Sequence, residues 1–314
     1  MESKVSVIIP TYKRSEFLER AIDSVLNQSY SNIEVIIVDD NDPSSNYRYD
    51  TEKKMLRYQE NSKVKYTKNN NNLGGALSRN EGIFKASGDF ITFLDDDDIY
   101  LPDKIKVQVD YMIKNDFDMT LTNLKLVNEK DVLIGYRKYN HIEELDRDKL
   151  LKYHLMRHLT GTPTFMYKAN KLKEIQGFEN VKMGQEFFLM LKSIENNLKI
   201  GYLNECYVIA YRHNSGGISQ GKNKIIGENN IYSLKKGYFN TFTMREKMFI
   251  RFRHYAVMTI AYIRNKDFIN ALLNSIKMIC SSPLDFIMET FKYIFSIFSI
   301  FRNTRIKDSH NNFN

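Results

Sequence analysis

Four consecutive aspartates, Asp95, Asp96, Asp97 and Asp98, follow the apolar segment 90–94. The segment is rich in β-forming residues, which predicts a buried strand that ends at the carboxylates. Adjacent like charges repel one another and cannot be buried without compensation. Because hard oxygen ligands suit Mg²⁺ or Mn²⁺, the run predicts a divalent-cation site at the carboxyl end of a strand. The alternative is a solvated acidic loop in which Asp98 caps the next helix.

The segments before this run alternate between strand and helix patterns. Residues 5–10 and 33–38 read as buried strands, and Ser15 is the expected N-cap of the helix between them. Asp39 and Asp40 end the second strand. A strand–helix–strand unit predicts a parallel pair with a right-handed crossover. With a helix near 49–60, a strand at 64–66 and a helix reaching Ala86, the order becomes βαβαβαβ, and the carboxylates should share one sheet edge.

The pattern continues as a single α/β domain, predicted over residues 1–221. Helices are expected near 103–114 and 146–158, and another opens at Gln185 and Glu186. Strands are expected at 119–127, 132–139, 165–167 and 206–211.

The chain after residue 221 is predicted to be helical. Residues 222–282 form a predicted helical hairpin with helices at 244–264 and 268–280, in which Met, Phe and Tyr at helical spacing are expected to be core. Residues 283–303 are apolar except for one narrow polar stripe and are followed by basic residues. This pattern predicts an amphipathic helix in a membrane interface, with a packed helix or a dimer interface as the alternative. Residues 304–314 are a polar tail.

The composition of the chain indicates which classes of binding partner and which compartment to expect. The formal net charge of +8 favours an anionic partner such as a nucleotide or a phospholipid surface. No nucleic-acid-binding motif is present, so nucleic acid is not an expected partner. The 2 cysteines, Cys206 and Cys280, exclude a disulfide framework and favour a reducing compartment. Since no signal-peptide pattern opens the sequence, we expect a cytoplasmic protein.

Six short motifs occur in a characteristic order. They are Val-Ser-Val-Ile-Ile-Pro-Thr-Tyr at 5–12, Val-Asp-Asp at 38–40, Asn-Leu-Gly at 72–74 leading to Arg79-Asn80, Gly-Asp-Phe-Ile at 88–91 into the aspartates, Gly-Phe at 177–178, and Gly-Gln-Glu at 184–186. Over residues 5–219 the chain therefore resembles the family 2 glycosyltransferases. The resemblance implies the GT-A fold, an α/β architecture with a mostly parallel central sheet flanked by helices, here followed by a C-terminal helical region.

The resemblance implies a nucleotide site at the first two strand ends. Pro10, Thr11 and Tyr12 would line the base and ribose. Asp39 or Asp40 would accept hydrogen bonds from the base or the ribose, with a capping role in the loop as the alternative.

The resemblance also implies a diphosphate and metal site. Asp97 would coordinate Mn²⁺ or Mg²⁺, while Asp95 would hold the ribose or a metal-bound water, with Asp96 beside them in the donor site. His213 would contact the metal or the diphosphate, although a structural histidine is equally compatible with its position. Arg79 would reach the diphosphate or brace the loop, unless it forms only a surface ion pair.

The expected catalytic base departs from the family pattern. The family has Glu-Asp before an aromatic residue, whereas this chain has Gln185-Glu186 before Phe187. Glu186 falls on the position of the base and keeps its acid–base chemistry with one more methylene. The alternative is a carboxylate that merely favours a helix N-terminus.

Together these features imply an inverting, metal-dependent hexosyltransferase. It would move a sugar from a nucleotide-diphosphate donor, most often a UDP-sugar, to a hydroxyl of a saccharide acceptor. A lipid-linked acceptor, surface-polysaccharide synthesis and peripheral attachment to the inner face of the cell membrane are expected, and a homodimer is possible. One alternative is a non-catalytic nucleotide-sugar-binding or scaffolding subunit. A nucleotidyltransferase is disfavoured because the chain lacks a Gly-rich phosphate loop.

Overall fold

The structure of the protein, a computed structural model, describes residues 2–139, 142, 146–213 and 221–291. The chain divides into two compact units, residues 1–218 and 219–314. The break between them lies outside the described residues, as do the predicted polar tail at 304–314 and most of the predicted helix at 283–303.

The first unit is built on a nine-stranded sheet. Its strands in chain order are β1 Val5–Thr11, β2 Ile33–Asp39, β3 Val64–Lys68, β4 Phe90–Phe93, β5 Ile99–Tyr100, β6 Met119–Asn128, β7 Leu133–Arg137, β8 Met166–Lys168 and β9 Ile200–Arg212. The spatial order is β3-β2-β1-β4-β8-β6-β9-β5, and β7 pairs with β6.

The sheet changes character at β4. From β3 to β4 every pairing is parallel, as the strand–helix–strand pattern predicts. Beyond β4, β8 runs antiparallel to both of its neighbours, while β6 and β9 pair in parallel. The expectation of a mostly parallel sheet therefore describes its first half, whereas parallel and antiparallel pairings mix in the second half. Because β2, β1 and β4 are parallel neighbours, Asp39, Asp40 and the four aspartates after β4 share one edge, as predicted.

Helices flank the sheet and form the second unit. Those of the first unit are α1 Ser15–Leu26, α2 Asn46–Met55, α3 Gly75–Lys85, α4 Lys104–Asn115, α5 Arg147–Arg157, α6 Ala169–Glu174 and α7 Gln185–Glu195. Those of the second unit are α8 Gly221–Gly237, α9 Met244–Arg264 and α10 Phe268–Ser281. Residues 283–291 are also helical.

Both faces of the sheet are buried. In β1, Ile8 belongs to one apolar cluster, whereas Val7 and Ile9 belong to a second. In β2, Ile36 and Ile37 divide between the clusters in the same way. Side chains alternate across a strand, so a strand covered on both faces needs a continuous apolar run. This requirement explains why these segments are unbroken Val and Ile sequences.

Several local predictions need correction. Ser15 is the first residue of α1; Arg14 holds the N-cap position and makes no side-chain capping bond. The last strand begins at Ile200 instead of residue 206, because its first half pairs with β6. The two-residue strand β5 and the six-residue helix α6 are too short to leave a periodic pattern in the sequence. Among the described residues, no helix is both long and apolar enough to cross a membrane.

Candidate functional site

The four aspartates are mostly buried in the loop that follows β4. Asp96, Asp97 and Asp98 are 1%, 8% and 4% exposed. The side chain of Asp95 is about a third exposed. Each carboxylate has a hydrogen-bond partner, so the run is an organised loop and the prediction of a solvated acidic loop is excluded. Asp98, for example, accepts a hydrogen bond of 3.0 Å from the backbone N–H of Tyr211 on β9.

Arg14 supplies the positive charge that compensates two of these carboxylates. Its Nη2 lies 2.7 Å from Oδ1 of Asp96, and its Nη1 donates to Oδ2 of Asp97. Thr11 donates its hydroxyl to the other oxygen of Asp96 at 2.8 Å. The loop between β1 and α1 is thereby fastened to the acidic loop by charge-assisted hydrogen bonds.

Burial dominates the electrostatics of the acidic loop. Removal from water raises the pKa of Asp96 to about 7, against the opposing charge of Arg14. Burial also raises the pKa of Asp97, again opposed by Arg14. The pKa of Asp98 is raised well above its ordinary range by burial and by the charges of Asp95 and Asp97. A cation that reached these carboxylates would favour their charged form and so oppose the rise in pKa.

Arg79 joins the acidic loop to the start of α7. The guanidinium, 9% exposed, donates through Nη2 to Oδ1 of Asp95 and through Nη1 to Oε1 of Gln185 at 2.8 Å. A Cβ on Gly75 would lie only 3.1 Å from the same Nη1, so a glycine leaves room for the bridge. Arg79 therefore braces the loop, and the prediction of a mere surface ion pair is wrong. Its buried Nε has no hydrogen-bond partner among the described residues.

Glu186 lies in the first turn of α7, next to the bridged Gln185. The preceding Gly184 holds the N-cap position with φ +76°, a conformation that other residues rarely adopt. Glu186 is half-buried, and its carboxylate makes no hydrogen bond or ion pair with any other described residue. The side chain expected to be the base is thus held at the site with its oxygens uncommitted.

His213 follows β9 and faces Asp97. Its Nε2 lies 3.6 Å from Oδ2 of Asp97, and its ring stacks on Phe17 at 4.5 Å between centroids. Nε2 is buried and has no hydrogen-bond partner in the described part of the chain. In the described ranges no three His, Cys, Asp or Glu side chains converge to hold a metal ion. Asp97 and His213 do converge, and a metal site that also includes Asp95 stays a prediction.

Asp40 organises the loop between β3 and α3. One of its oxygens accepts from the backbone N–H of Leu73, and the other from that of Gly74, each at 2.8 Å. The side-chain amides of Asn69 and Asn72 donate to the same carboxylate at 2.8 and 2.9 Å. These contacts match the alternative prediction for Asp40, a capping role in the loop.

Asp39 is fully buried beneath the same edge. Tyr66 donates its hydroxyl to Oδ2, and Asn41 donates to Oδ1 through both its backbone N–H and its amide. The Nε of Arg48 lies 3.2 Å from Oδ2. Burial raises the pKa of Asp39, although these donors oppose the rise. A base contact by Asp39 or Asp40 stays a prediction.

The segment predicted to line the base and ribose follows β1 at the same edge. Pro10 and Tyr12 are half-buried, whereas Thr11 is 1% exposed and committed to Asp96. Lys13, in the left-handed region at φ 59°, places its ammonium 4.9 Å from the centre of the Tyr12 ring. Tyr12 is the member of this segment with an aromatic face near solvent.

The roles of three residues in the site were not predicted from the sequence. Arg14 forms the ion pair with Asp97, and Gln185 accepts the hydrogen bond that completes the bridge through Arg79. Arg20 donates to the backbone oxygen of Asp97 at 2.7 Å. Arg14 directly follows the predicted nucleotide segment, which is a signal that could have found it. The contact of Arg20 depends on how α1 is placed beside the acidic loop, and no motif in the sequence marks it.

Comparison with protein families gives one match over more than half of the chain. The family model described as "Glycosyl transferase family 2" matches residues 6–175. An uncharacterized glycosyltransferase of Methanocaldococcus jannaschii, MJ1057, is 31% identical over 211 residues, which cover 66% of this chain and 70% of that protein.

Two relatives in Escherichia coli carry more specific names. The UDP-Glc:alpha-D-GlcNAc-diphosphoundecaprenol beta-1,3-glucosyltransferase WfgD is 35% identical over 148 residues, 47% of this chain and 55% of its own length. The O-antigen biosynthesis glycosyltransferase WbnJ is 29% identical over 215 residues, 67% of this chain and 80% of its own length. The chain thus spans only about half of the first of these relatives.

Among solved structures, residues 1–349 of Staphylococcus aureus TarS in complex with UDP-GlcNAc share the fold. The TM-score is 0.59 at 18% identity, over 88% of this chain and 91% of that one. The predicted GT-A fold with a helical C-terminal region is confirmed.

Proposed function

Because the chain belongs to glycosyl transferase family 2, we propose that it moves a sugar from a UDP-sugar to a hydroxyl of a saccharide acceptor. The bridge formed by Arg79 between Asp95 and Gln185 is the observation that supports this most strongly. It ties the acidic loop, where a diphosphate would lie, to the helix turn that carries Glu186. Transfer of a sugar to a hydroxyl requires a donor site and a catalytic base on facing elements.

The proposed chemistry is a single displacement with inversion at the anomeric carbon. A carboxylate oxygen of Glu186 takes the proton of the acceptor hydroxyl. The acceptor oxygen forms its bond to the anomeric carbon while the bond from that carbon to the phosphate oxygen breaks. The bonding electrons leave with the nucleoside diphosphate. Glu186 suits this task because its oxygens are uncommitted among the described residues and it lies in the first turn of α7.

Mn²⁺ or Mg²⁺ fits the pair formed by Asp97 and His213. Nε2 of His213 has no hydrogen-bond partner among the described residues and lies 3.6 Å from Oδ2 of Asp97. These two atoms could fill two coordination positions of such an ion. Oxygens of the diphosphate would provide further ligands, and Asp95 would hold the ribose or a metal-bound water. When bound, the ion would neutralise charge on the departing diphosphate.

The donor would lie along the edge formed by β1, β2 and β4. We propose that the half-buried ring of Tyr12 packs against the nucleotide and that Pro10 lines the same surface. Arg79 could direct its unpartnered Nε toward a phosphate oxygen without leaving Asp95. Asp96 contributes through Thr11 and Arg14, by fixing the loop that carries Tyr12.

The acceptor class is proposed from the relatives. WfgD is named for a diphosphoundecaprenol-linked acceptor, and WbnJ for O-antigen biosynthesis. We propose a lipid-linked saccharide acceptor, a role in surface-polysaccharide synthesis and a cytoplasmic enzyme attached to the inner face of the cell membrane.

The test is transfer by the purified protein from a panel of UDP-sugars, with Mn²⁺, to lipid-linked saccharide acceptors. NMR of the product should show the anomeric configuration opposite to that of the donor. Retained configuration contradicts the single displacement. Donor binding without any transfer supports the alternative of a non-catalytic subunit.

A further inference from the structure

The helix α10 has its large apolar side chains on the outside. Phe268, Ile269, Leu272, Leu273 and Ile276 are 67%, 77%, 62%, 48% and 51% exposed. Their spacing of three and four residues places them on one face of the helix. A helix on the surface of a water-soluble unit buries such a face, so the arrangement here is inverted.

The opposite face of α10 is small and polar. Ala271 and Asn274 are its buried residues, and the amide of Asn274 donates to the backbone oxygen of Asn270 at 2.7 Å. The hydroxyl of Ser275 donates to the backbone oxygen of Ala271 at 2.9 Å. Helices that pack through small residues and direct large apolar ones outward are typical of an apolar surrounding medium.

More exposed apolar side chains follow α10 in the chain. Leu284, Ile287, Met288 and Phe291 are 61%, 49%, 51% and 57% exposed in the following helical segment. Large exposed apolar patches on a protein mark interaction sites. Together these exposed apolar side chains form what we call the apolar face: Phe268, Ile269, Leu272, Leu273, Ile276, Ile279, Leu284, Ile287, Met288 and Phe291.

The charges around this face identify the occupant. Lys277 is the only charged residue of α10, and Lys266 lies just before the helix; both are exposed. Among the described residues from 260 onward, Arg264, Lys266 and Lys277 are basic, and Asp267, Asp285 and Glu289 are acidic; the sequence at 292–314 adds four basic residues and one acidic residue. Of the acidic ones, Asp285 is buried and bonded to Ser282, and Asp267 caps α10. Exposed lysines beside an apolar helix face complement anionic lipid headgroups above acyl chains.

We propose that the apolar face is a docking surface for an anionic lipid bilayer, with α10 lying in the interface. This deepens the peripheral membrane association proposed above, which the sequence placed only at residues 283–303. A second copy of the chain is the competing occupant. It would cover apolar residues equally well but would have to bring the exposed lysines of the two copies together.

The experiment uses the full chain with a polarity-sensitive fluorophore on Cys280, an exposed cysteine of α10, after Cys206→Ser. Vesicles of phosphatidylglycerol and phosphatidylcholine should blue-shift the emission and bring the protein into the floating fraction. Pure phosphatidylcholine should bind at least about tenfold more weakly. Ile269→Glu combined with Leu272→Glu should weaken binding at least about tenfold. Phe84→Glu, which replaces an equally exposed side chain in the first unit, should leave binding unchanged.

Two controls keep the result decisive. The melting temperature of the double variant should match that of the parent, because both side chains are already in water. Transfer to a soluble acceptor analogue should be unchanged, so failure of docking and failure of the proposed transfer are distinguishable. Light scattering reports the alternative occupant. A dimer that the double variant dissociates, together with vesicle binding equal to that of the parent, overturns the proposal, as does absence of a blue shift with anionic vesicles.

Discussion

Arg14 and Asp97 form an ion pair in which Nη1 of the guanidinium donates to Oδ2 of the carboxylate. Nε2 of His213 approaches the same oxygen at 3.6 Å. A divalent ion bound between Asp97 and His213 would therefore meet the guanidinium of Arg14, and two cations at one oxygen repel each other. Arg14 and the ion are consequently expected to compete.

Replacing Arg14 by Gln should tighten Mn²⁺ binding in the absence of donor by about tenfold or more. The measurement is the concentration of free Mn²⁺ by electron paramagnetic resonance at pH 8, where raised carboxylate pKa values interfere least. Arg20→Gln is the matched control, because Arg20 contacts the backbone oxygen of Asp97 and leaves the carboxylate free. Weaker Mn²⁺ binding by the Arg14 variant would show that the guanidinium supports the ion instead of competing with it.

Glu186→Gln should reduce turnover by about 10²–10⁴-fold, since the amide cannot accept the proton of the acceptor. Binding of UDP should stay within about twofold, because Glu186 makes no hydrogen bond or ion pair with the described residues of the acidic loop. Steady-state kinetics and calorimetry give the two quantities. Glu186→Asp restores a carboxylate and should recover part of the turnover. Equal activity of the Gln variant and the parent would remove Glu186 from the mechanism.

Asp40→Ala should destabilise the first unit by about 2–4 kcal/mol. The substitution leaves the N–H groups of Leu73 and Gly74 without their acceptor. Urea unfolding measures the change, and Asp42→Ala, which removes an exposed carboxylate from the same loop, should stay within about 0.5 kcal/mol of the parent. Unchanged stability with weakened UDP binding would instead assign Asp40 a direct contact with the nucleotide.

Lys104 gives stability a predictable dependence on pH. The side chain is fully buried, its Nζ donates to the hydroxyl of Thr92, and burial lowers its pKa well below the ordinary value. Between the folded pKa and about 10.4 the unfolded chain binds the extra proton, so the free energy of unfolding rises with pH by up to about 1.4 kcal/mol per unit. Lys104→Met should remove this slope when urea unfolding of the two proteins is compared from pH 7 to pH 9. Parallel curves would show that Lys104 stays protonated in the fold.

Strand patterns and motif spacing predicted the first half of the sheet and the shared edge of its carboxylates. Continuous Val and Ile runs can be satisfied only by strands covered on both faces, so β1 and β2 were unambiguous. The pairing of β8 with β4 and β6 was not predictable, because a three-residue strand is defined by its neighbours more than by its own pattern.

The contacts between residues of the site were harder to predict than the residues themselves. Motifs indicated Asp97, Arg79 and Glu186, but the bridge through Gln185 depends on residues 106 positions apart. Helices α9 and α10 match the predicted helices at 244–264 and 268–280, whereas α8, which makes three helices where a hairpin was expected, and the buried face of α10 were not predicted. Periodicity shows that one face of a helix is apolar but does not show what covers it.

The most direct test of the central claim is UDP binding by calorimetry, with and without Mn²⁺, to the parent and to Asp97→Ala. We predict that Mn²⁺ tightens UDP binding to the parent by at least about tenfold and has little effect on the variant, because the ion joins the carboxylate to the diphosphate. Failure of the parent to bind UDP or any other nucleoside diphosphate, or the same dependence on Mn²⁺ in both proteins, would contradict a metal-assisted donor site at the acidic loop.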